Sequence, residues 1–209
     1  KDYLYSRFGS NNLTQRNYMK KGFFSLFDWK TEEIGDELIR VTTKFLKKIE
    51  KKELYRAIYI KNDKNIKSPN VVENINNFNK LTFFIIEDII SYDHASDRAK
   101  IIEKWVQIAD YCKSKKDYND CLAINSALNS FIITGLELTN KELKSKTTSL
   151  IKSINNFCSC VGNYKFIREE IKNSLDNKEY YYPYLGIMLK DISFFEENFK
   201  YLMEGELIN

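Results

Sequence analysis

Helix-breaking residues are scarce in this chain, and their scarcity limits the possible folds more than any other feature of the sequence. Only two prolines, Pro69 and Pro183, and seven glycines interrupt 209 residues. Proline inside a helix removes a hydrogen bond and clashes with the preceding turn, whereas turn-rich β folds need many glycines and prolines. We therefore expect an all-α fold. A single multi-helix domain is predicted, because no Gly/Ser-rich or Pro-rich linker divides the chain.

Apolar residues recur at spacings of three and four in three segments, as on the buried face of an amphipathic helix. The first segment follows Thr31, a candidate N-cap ahead of Glu32 and Glu33. The second and third are expected to form antiparallel helices joined through residues 113–120, "KSKKDYND". The three predicted core stripes are Ile34, Leu38, Val41, Phe45 and Ile49; Ile101, Trp105, Ile108 and Cys112; and Cys121, Ile124, Leu128 and Phe131.

Two further boundaries can be placed from local signals. Ser68 is a candidate cap for a helix with Pro69 in its first turn. A short helix is predicted there, followed by a separate buried helix over the apolar residues 81–90. Residues 1–25 show little periodicity and are expected to be a leader or linker, so the domain itself is predicted to occupy residues 26–209.

The charged residues indicate a solvated surface rather than a binding stripe. The chain has 33 basic and 29 acidic residues, interleaved as in "KFLKKIEKKELYR", which does not favour a nucleic-acid partner. The four cysteines lack zinc-type spacing and His94 has no obvious ligand partner, so we expect no metal and no cofactor. Without an apolar run near the roughly 20 residues that span a bilayer, a cytoplasmic protein with reduced thiols is expected.

Residues 180–198, "YYYPYLGIMLKDISFFEEN", contain the second proline and end on adjacent carboxylates. A helix is predicted from Pro183 to Glu197. One face is expected to pack (Leu185, Met188, Ile192, Phe195) and the other to face outward (Gly186, Lys190, Ser193, Glu197). A carboxylate at a helix C-terminus is disfavoured by roughly 0.3–1 kcal/mol. From this pattern alone, Glu196 and Glu197 are more simply interpreted as solvated surface acids.

Four segments, taken in order, carry a family resemblance. They are "ELYRAIYIKNDKNIKSPNVVENINNFNKLTFFIIEDI" (53–89), "DRAKIIEKWVQIADYCKSKKDYNDCLAINSALNS" (97–130), "GNYKFIREEI" (162–171) and "YPYLGIMLKDISFFEE" (182–197). In sequence and spacing they resemble the catalytic domain of Ras-type guanine-nucleotide exchange factors, the RasGEF family. The resemblance covers roughly residues 26–209. It implies a domain with a projecting helical hairpin whose return arm opens at "GELIN", with several further helices following in the family.

The resemblance implies a function and a set of site residues. A RasGEF domain binds a small GTPase of the Ras superfamily, most tightly when nucleotide-free, and loosens its GDP without making or breaking a covalent bond. Glu197 matches the family's glutamate that enters the Mg²⁺ and phosphate site. The implied GTPase-facing residues beside it on the same helix are Lys190, Ser193 and Phe194. The implied pocket for an aromatic side chain of the GTPase consists of Ile75, Leu122, Tyr164 and Tyr184, with Asn129 and Asn163 as polar neighbours and Asn76 where the family often has arginine.

Each implied site residue has an alternative interpretation. Ile75 and Leu122 fit plain core positions, Asn129 fits a helix cap, and Tyr164 fits a brace for its neighbouring helix. The sequence also departs from the family pattern. Gly135 and Asn140 follow the central helix where the family usually has arginine and tryptophan. Residues 198–201 read "NFKY", where the family has a small glycine-containing turn at the hairpin tip.

Two rival functions follow from these alternatives. The first is an exchange-inactive GTPase-binding or scaffold module with the same fold, which the altered tip favours. The second, a helical hydrolase or metal enzyme, lacks a nucleophile, base and orienting group. The Lys-, Asn- and Ile-rich composition suggests an AT-rich genome, as in a protist or an intracellular bacterium. The family resemblance implies recruitment to the membrane that carries the GTPase, or a location in the host cytosol if the protein is a secreted bacterial effector.

Overall fold

The computed structural model describes residues 26–206, apart from the side chains at 55–58, 60 and 199–206. This part of the chain forms ten α-helices and no β-strand, which confirms the expected all-α fold. The helices are α1 (Thr31–Leu46), α2 (Lys64–Lys67), α3 (Pro69–Ile90), α4 (Ala95–Ser114), α5 (Tyr118–Leu128), α6 (Phe131–Thr134), α7 (Glu137–Lys141), α8 (Ser145–Phe157), α9 (Lys165–Asp176) and α10 (Leu185–Glu206). Two 3₁₀ segments, Leu26–Asp28 and Lys51–Ile60, precede α1 and α2. The leader expected at residues 1–25 and the return arm expected after α10 lie outside the described residues.

Helix α5 is the centre of the molecule. Nine of its residues are buried: Tyr118, Asn119, Asp120, Cys121, Leu122, Ala123, Ile124, Ala127 and Leu128. It packs between α3 and α4, and α1 covers α4 from the other side. Asp117 caps α5 by accepting a hydrogen bond from the Asp120 amide at 3.1 Å. The close pair of α4 and α5, joined through residues 115–117, confirms the predicted connection.

The predicted core stripes are confirmed except at the last residue of the first stripe and the last residue of the third. Ile34, Leu38 and Val41 are buried, as is every member of the second stripe around Trp105. Helix α1 ends at Leu46, so Ile49 lies beyond it. Phe131 is 85% exposed, because α5 ends at Leu128 and Phe131 begins a new short helix in a different direction.

The helix starts at Thr31 and Ser68 differ from their predictions. Thr31 is the first residue of α1, and the cap position is Lys30, whose amide donates to the Glu33 carboxylate at 2.8 Å. Ser68 holds the cap position of α3, but its hydroxyl donates to the carbonyl of Glu53 at 2.9 Å. The two helices predicted after Ser68 are one continuous helix of 22 residues, because its apolar face persists from Val71 to Ile89.

Glu53 supplies the cap that Ser68 does not. Its buried carboxylate accepts hydrogen bonds from the Asn70 amide at 2.8 Å, the Asn70 side chain at 2.7 Å and the Val71 amide at 3.2 Å. Burial by itself raises the pKa of Glu53, but these hydrogen bonds outweigh it and leave the pKa below its ordinary value. The 3₁₀ segment Lys51–Ile60 is thereby fastened to the start of α3.

Candidate functional site

Helix α10 carries the candidate site, and its position differs from the prediction. It begins at Leu185, two residues after Pro183, and continues to Glu206. Glu197 therefore lies in the body of the helix, and the predicted penalty at a helix end does not apply. Residues 198–201, where the family has a small turn and this sequence departs from it, are helical as well.

The predicted packing face of α10 is also only partly right. Leu185, Ile187 and Leu189 are buried, whereas Met188 and Phe195 are exposed. The first half of α10 packs on two sides: Ile187 enters the main core, and Leu185 and Leu189 enter a separate small cluster. A helix that packs on two sides does not have a single apolar stripe. The packing face predicted from the apolar spacing was therefore wrong at Met188 and Phe195.

The small cluster fixes α10 to the 3₁₀ segment and to α3. Leu185 and Leu189 pack there with Tyr59 and Val71, and Ile49 and Leu54 lie against them. The Tyr59 hydroxyl donates to the carbonyl of Leu189 at 2.8 Å, and it forms a second hydrogen bond of 2.8 Å with the Ser193 hydroxyl. Ser193, predicted to contact a GTPase, is thus half-buried and bonded within the domain.

On its other side, α10 is held by α9 and the turn before it. Arg168 makes two parallel hydrogen bonds to Asp191, at 2.8 and 2.7 Å, and a third to the carbonyl of Asn163 at 2.7 Å. Hydrogen bonding to Arg168 lowers the pKa of Asp191 below its usual range. Lys190 donates to the Asn163 side chain at 3.1 Å. Arg168 and Asp191 both line a cleft of about 260 Å³ between α9 and α10.

The turn before α9 has an uncommon backbone. Gly162, Asn163 and Tyr164 all have positive φ angles, of 64, 57 and 61°. Glycine and asparagine adopt this left-handed region readily, but a tyrosine there costs roughly 1–2 kcal/mol. The conformation directs the carbonyl and side chain of Asn163 to Arg168 and Lys190 and brings the Tyr164 ring beside that of Tyr184, the residue before α10. Packing therefore has to hold Tyr164 in this position.

An aromatic cluster provides that packing. The Tyr184 ring lies 5.0 Å from the Phe78 ring and 6.2 Å from the Tyr164 ring, measured between centroids. A β-carbon on Gly186 would come within 2.5 Å of the Tyr184 ring, so glycine leaves the space that this ring occupies. Burial raises the pKa of both Tyr164 and Tyr184. The structure thus brings together two of the predicted pocket residues and adds Phe78, which the sequence analysis missed.

The remaining predicted pocket residues lie on α3 and on or directly after α5. Ile75 and Asn76 are exposed on α3, with Ile75 one turn before Phe78. Leu122 is buried in α5. Asn129 follows α5, and its side-chain amide donates to the Asn155 side chain at 2.7 Å.

Beyond Ser193, four of the five described side chains of α10 are exposed: Phe194, Phe195, Glu197 and Asn198. Phe194 and Phe195 are 67% and 74% exposed, and Glu197 is exposed three residues beyond Phe194. This surface combines two large aromatic side chains with an acid, on a helix that is held by its neighbours over residues 185–193. Such a surface is suited to a protein partner.

No group of three potential metal ligands occurs among the residues that the structure describes. In the same part of the chain, no helix has the length and apolar character needed to cross a membrane.

An all-helical domain is the class that this fold defines, with one long helix held by neighbouring elements over residues 185–193 and exposed at Phe194, Phe195 and Glu197. The family is more specific. The chain belongs to the RasGEF domain family, whose sequence profile it matches over residues 33–209.

Curated relatives support the same family. The chain is 31% identical over 193 residues to Ras guanine nucleotide exchange factor K of Dictyostelium discoideum, an alignment that covers 90% of this chain and 12% of that protein. It is 32% identical over 177 residues to the human Ras-specific guanine nucleotide-releasing factor 1, covering 85% of this chain and 14% of that protein. The chain therefore spans only a small part of the length of these relatives.

Proposed function

We propose that this domain is a guanine-nucleotide exchange factor for a small GTPase of the Ras family. One observation carries the proposal: in a RasGEF family member, α10 is anchored through Leu189 and Asp191 while Phe194 and Glu197 are held out in solvent. The relatives include Ras-specific guanine nucleotide-releasing factors, which favours a Ras-family partner. The domain would act in the cytoplasm, at the membrane surface where the GTPase lies.

The proposed mechanism is competition for the nucleotide site. A nucleotide held at picomolar affinity corresponds to about −16 kcal/mol, so an exchange factor needs contacts that exist only when the site is open. Glu197 would repel the phosphates and pair with the basic residue that normally binds them. By linkage, the nucleotide-free GTPase would be the state bound most tightly. The reaction involves no covalent step and no cofactor of this chain.

A second contact is proposed for the aromatic cluster. Tyr184, Tyr164 and Phe78 form a tilted stack beside the exposed Ile75 on α3. An aromatic side chain of the GTPase inserted against such rings would be a typical interface hot spot. Asn76, Asn129 and Asn163 are the proposed polar neighbours of this contact, and Leu122 supports it from the core.

An exchange-inactive binding module is the second candidate. The observations that favour it are the helical conformation of residues 198–201 and the inward hydrogen bond of Ser193 to Tyr59, which leave Lys190, Phe194 and Glu197 to make the contact. Such a module would keep the aromatic cluster and bind the GTPase without opening its nucleotide site.

The test is release of a fluorescent GDP analogue from a panel of Ras, Rap, Ral and Rab GTPases. Acceleration is expected for at least one Ras-family member. Binding of the nucleotide-free GTPase without acceleration of GDP release would favour the binding module. Failure to bind any member of the panel would contradict both functions.

A further inference from the structure

The hydroxyl of Tyr59 occupies an unusual place in this domain. Tyr59 is only 5% exposed, and its ring lies in the small cluster with Leu185, Leu189 and Val71. A tyrosine hydroxyl has one proton to donate. Since that proton is given to the Leu189 carbonyl, the hydrogen bond of 2.8 Å to Ser193 is donated by the serine. One oxygen atom thus holds two successive turns of α10.

Tyr59 lies on a segment that is itself hydrogen-bonded to the start of α3. The 3₁₀ segment that carries it is held at the start of α3 by the Ser68 hydrogen bond and by three hydrogen bonds that the Glu53 carboxylate accepts from Asn70 and Val71. Val71, at the start of α3, is fully buried against the same cluster. A displacement of α10 at Ser193 therefore has to break the Tyr59 hydrogen bonds or move the start of α3.

We propose that Tyr59 is a positioning residue that sets the direction of the exposed half of α10. Ser193 acts through Tyr59, and not by touching the GTPase. The proposal rests on the proposed exchange function and deepens it, because it assigns the orientation of Glu197 to a residue on a different segment. Glu197 lies one helical turn beyond Ser193, about 6 Å along the axis, so the Tyr59 contact holds α10 one turn before the proposed wedge.

The size of the expected effect follows from the hydrogen bonds involved. Removing the hydroxyl of Tyr59 leaves the ring in the cluster but removes both hydrogen bonds to α10. Loss of a net hydrogen-bond contribution of ordinary size lowers the ratio of anchored to displaced orientations by about twofold to tenfold. If the GTPase binds the aromatic cluster in either orientation and only the anchored orientation opens the nucleotide site, the maximal exchange rate falls by up to the same factor at an unchanged half-saturating concentration.

The first test needs no GTPase. Amide hydrogen exchange is measured for the unaltered chain, for Tyr59→Phe, and for Tyr180→Phe, a matched substitution at a tyrosine that is 92% exposed. In Tyr59→Phe, amides at residues 190–198 should exchange about twofold to tenfold faster while those of α4 and α5 keep their rates. Tyr180→Phe should change neither. Unchanged exchange at 190–198, or a uniform increase throughout the molecule, would overturn the proposal.

The second test separates positioning from direct contact. GDP release is measured over a range of domain concentrations for Tyr59→Phe, Ser193→Ala and the double variant. The maximal rate should fall about twofold to tenfold in Tyr59→Phe with an unchanged half-saturating concentration, and Ser193→Ala should lower it no further in that background. An equal effect of Ser193→Ala in both backgrounds would show that Ser193 touches the GTPase. If the unaltered chain releases no GDP, the exchange function fails, and hydrogen exchange still decides whether Tyr59 anchors α10.

Discussion

Glu197 and Asp120 are carboxylates in opposite surroundings, and those surroundings determine what each can do. Glu197 is exposed and available to a partner. Asp120 is buried at the start of α5, where it accepts hydrogen bonds from Thr42 at 2.8 Å and from Asn119 at 2.9 Å. Asp117 is buried beside it. Burial, and then the nearby Asp120 charge, raise the pKa of Asp117 well above its ordinary value, and burial also raises the pKa of Asp120.

This pair predicts a pH dependence of stability. The folded state holds a proton on the pair that the unfolded chain releases near pH 4, so the free energy of unfolding should fall as the pH rises above 4 toward the raised pKa. In urea titrations at pH 5 and pH 8, Asp117→Asn should lose less stability between the two pH values than the unaltered chain. Asp176→Asn, at an exposed position, serves as the control. An unchanged pH dependence in Asp117→Asn would show that the pair is not the cause.

Gly186 tests the aromatic cluster. Alanine in a helix is favoured over glycine by up to about 1 kcal/mol, so Gly186→Ala should not destabilise α10 through propensity. Its β-carbon would collide with the Tyr184 ring, which must then turn away from Tyr164 and Phe78. We expect weaker binding of the nucleotide-free GTPase, by about 1–3 kcal/mol, measured by titration calorimetry. Full affinity with a displaced Tyr184 ring would remove the cluster from the proposed interface.

At the scale of elements, α10 is a helix held at several points over its first half. Tyr59 holds it from the 3₁₀ segment, and Arg168 holds it from α9 through Asp191. A paired hydrogen bond from a planar guanidinium restricts orientation more than a single ammonium contact does. The two anchors lie on different sides of the helix, so together they limit both its tilt and its rotation.

Arg168→Lys should weaken this second anchor. Lysine cannot reproduce the paired hydrogen bonds to Asp191 together with the bond to the Asn163 carbonyl. The maximal rate of GDP release should fall by about twofold to tenfold. Arg40→Lys is the matched control, because Arg40 also pairs with a carboxylate, Glu37, but on the distant helix α1. Equal losses in the two variants would indicate a general effect of removing arginine.

The same elements show what the sequence could predict. The second stripe, around Trp105, and most of the third, from Cys121 to Leu128, pack against one continuous core, so their periodicity identified their buried faces. Helix α10 packs against two clusters over residues 185–189 and exposes Phe194 and Phe195 beyond them, and no single period describes that arrangement. The Tyr59 contact joins residues 134 positions apart in the chain, and no local pattern reports it. The site residues Tyr164 and Tyr184 were found through the family resemblance.

At the scale of the whole molecule, α5 joins the parts. Its buried side chains contact α3 and α4, and its first residue is tied to the segment before α10, because the Tyr118 amide donates to the Tyr182 carbonyl at 3.0 Å. The order of four sequence segments was sufficient to predict the family, since each segment supplies one part of this arrangement. The orientation of α10 depends on contacts between those segments, so no single segment of the sequence predicts it.

Ile124→Ala tests the role of α5. Ile124 is fully buried, so the substitution should lower the free energy of unfolding by about 2–5 kcal/mol, measured by urea titration. Ile66→Ala, at a side chain that is 83% exposed, should change it by no more than about 0.5 kcal/mol. Similar effects of the two substitutions would contradict the placement of the core around α5.

The most direct test of the central claim is the rate of GDP release from a responsive Ras-family GTPase with Glu197→Ala. The control is Glu137→Ala, which removes an exposed glutamate on α7, away from α10. If Glu197 enters the phosphate site, loss of its charge-assisted contact should slow the maximal rate about tenfold or more, while the control matches the unaltered domain. Unaltered GDP release by Glu197→Ala would contradict the proposal that this carboxylate opens the nucleotide site.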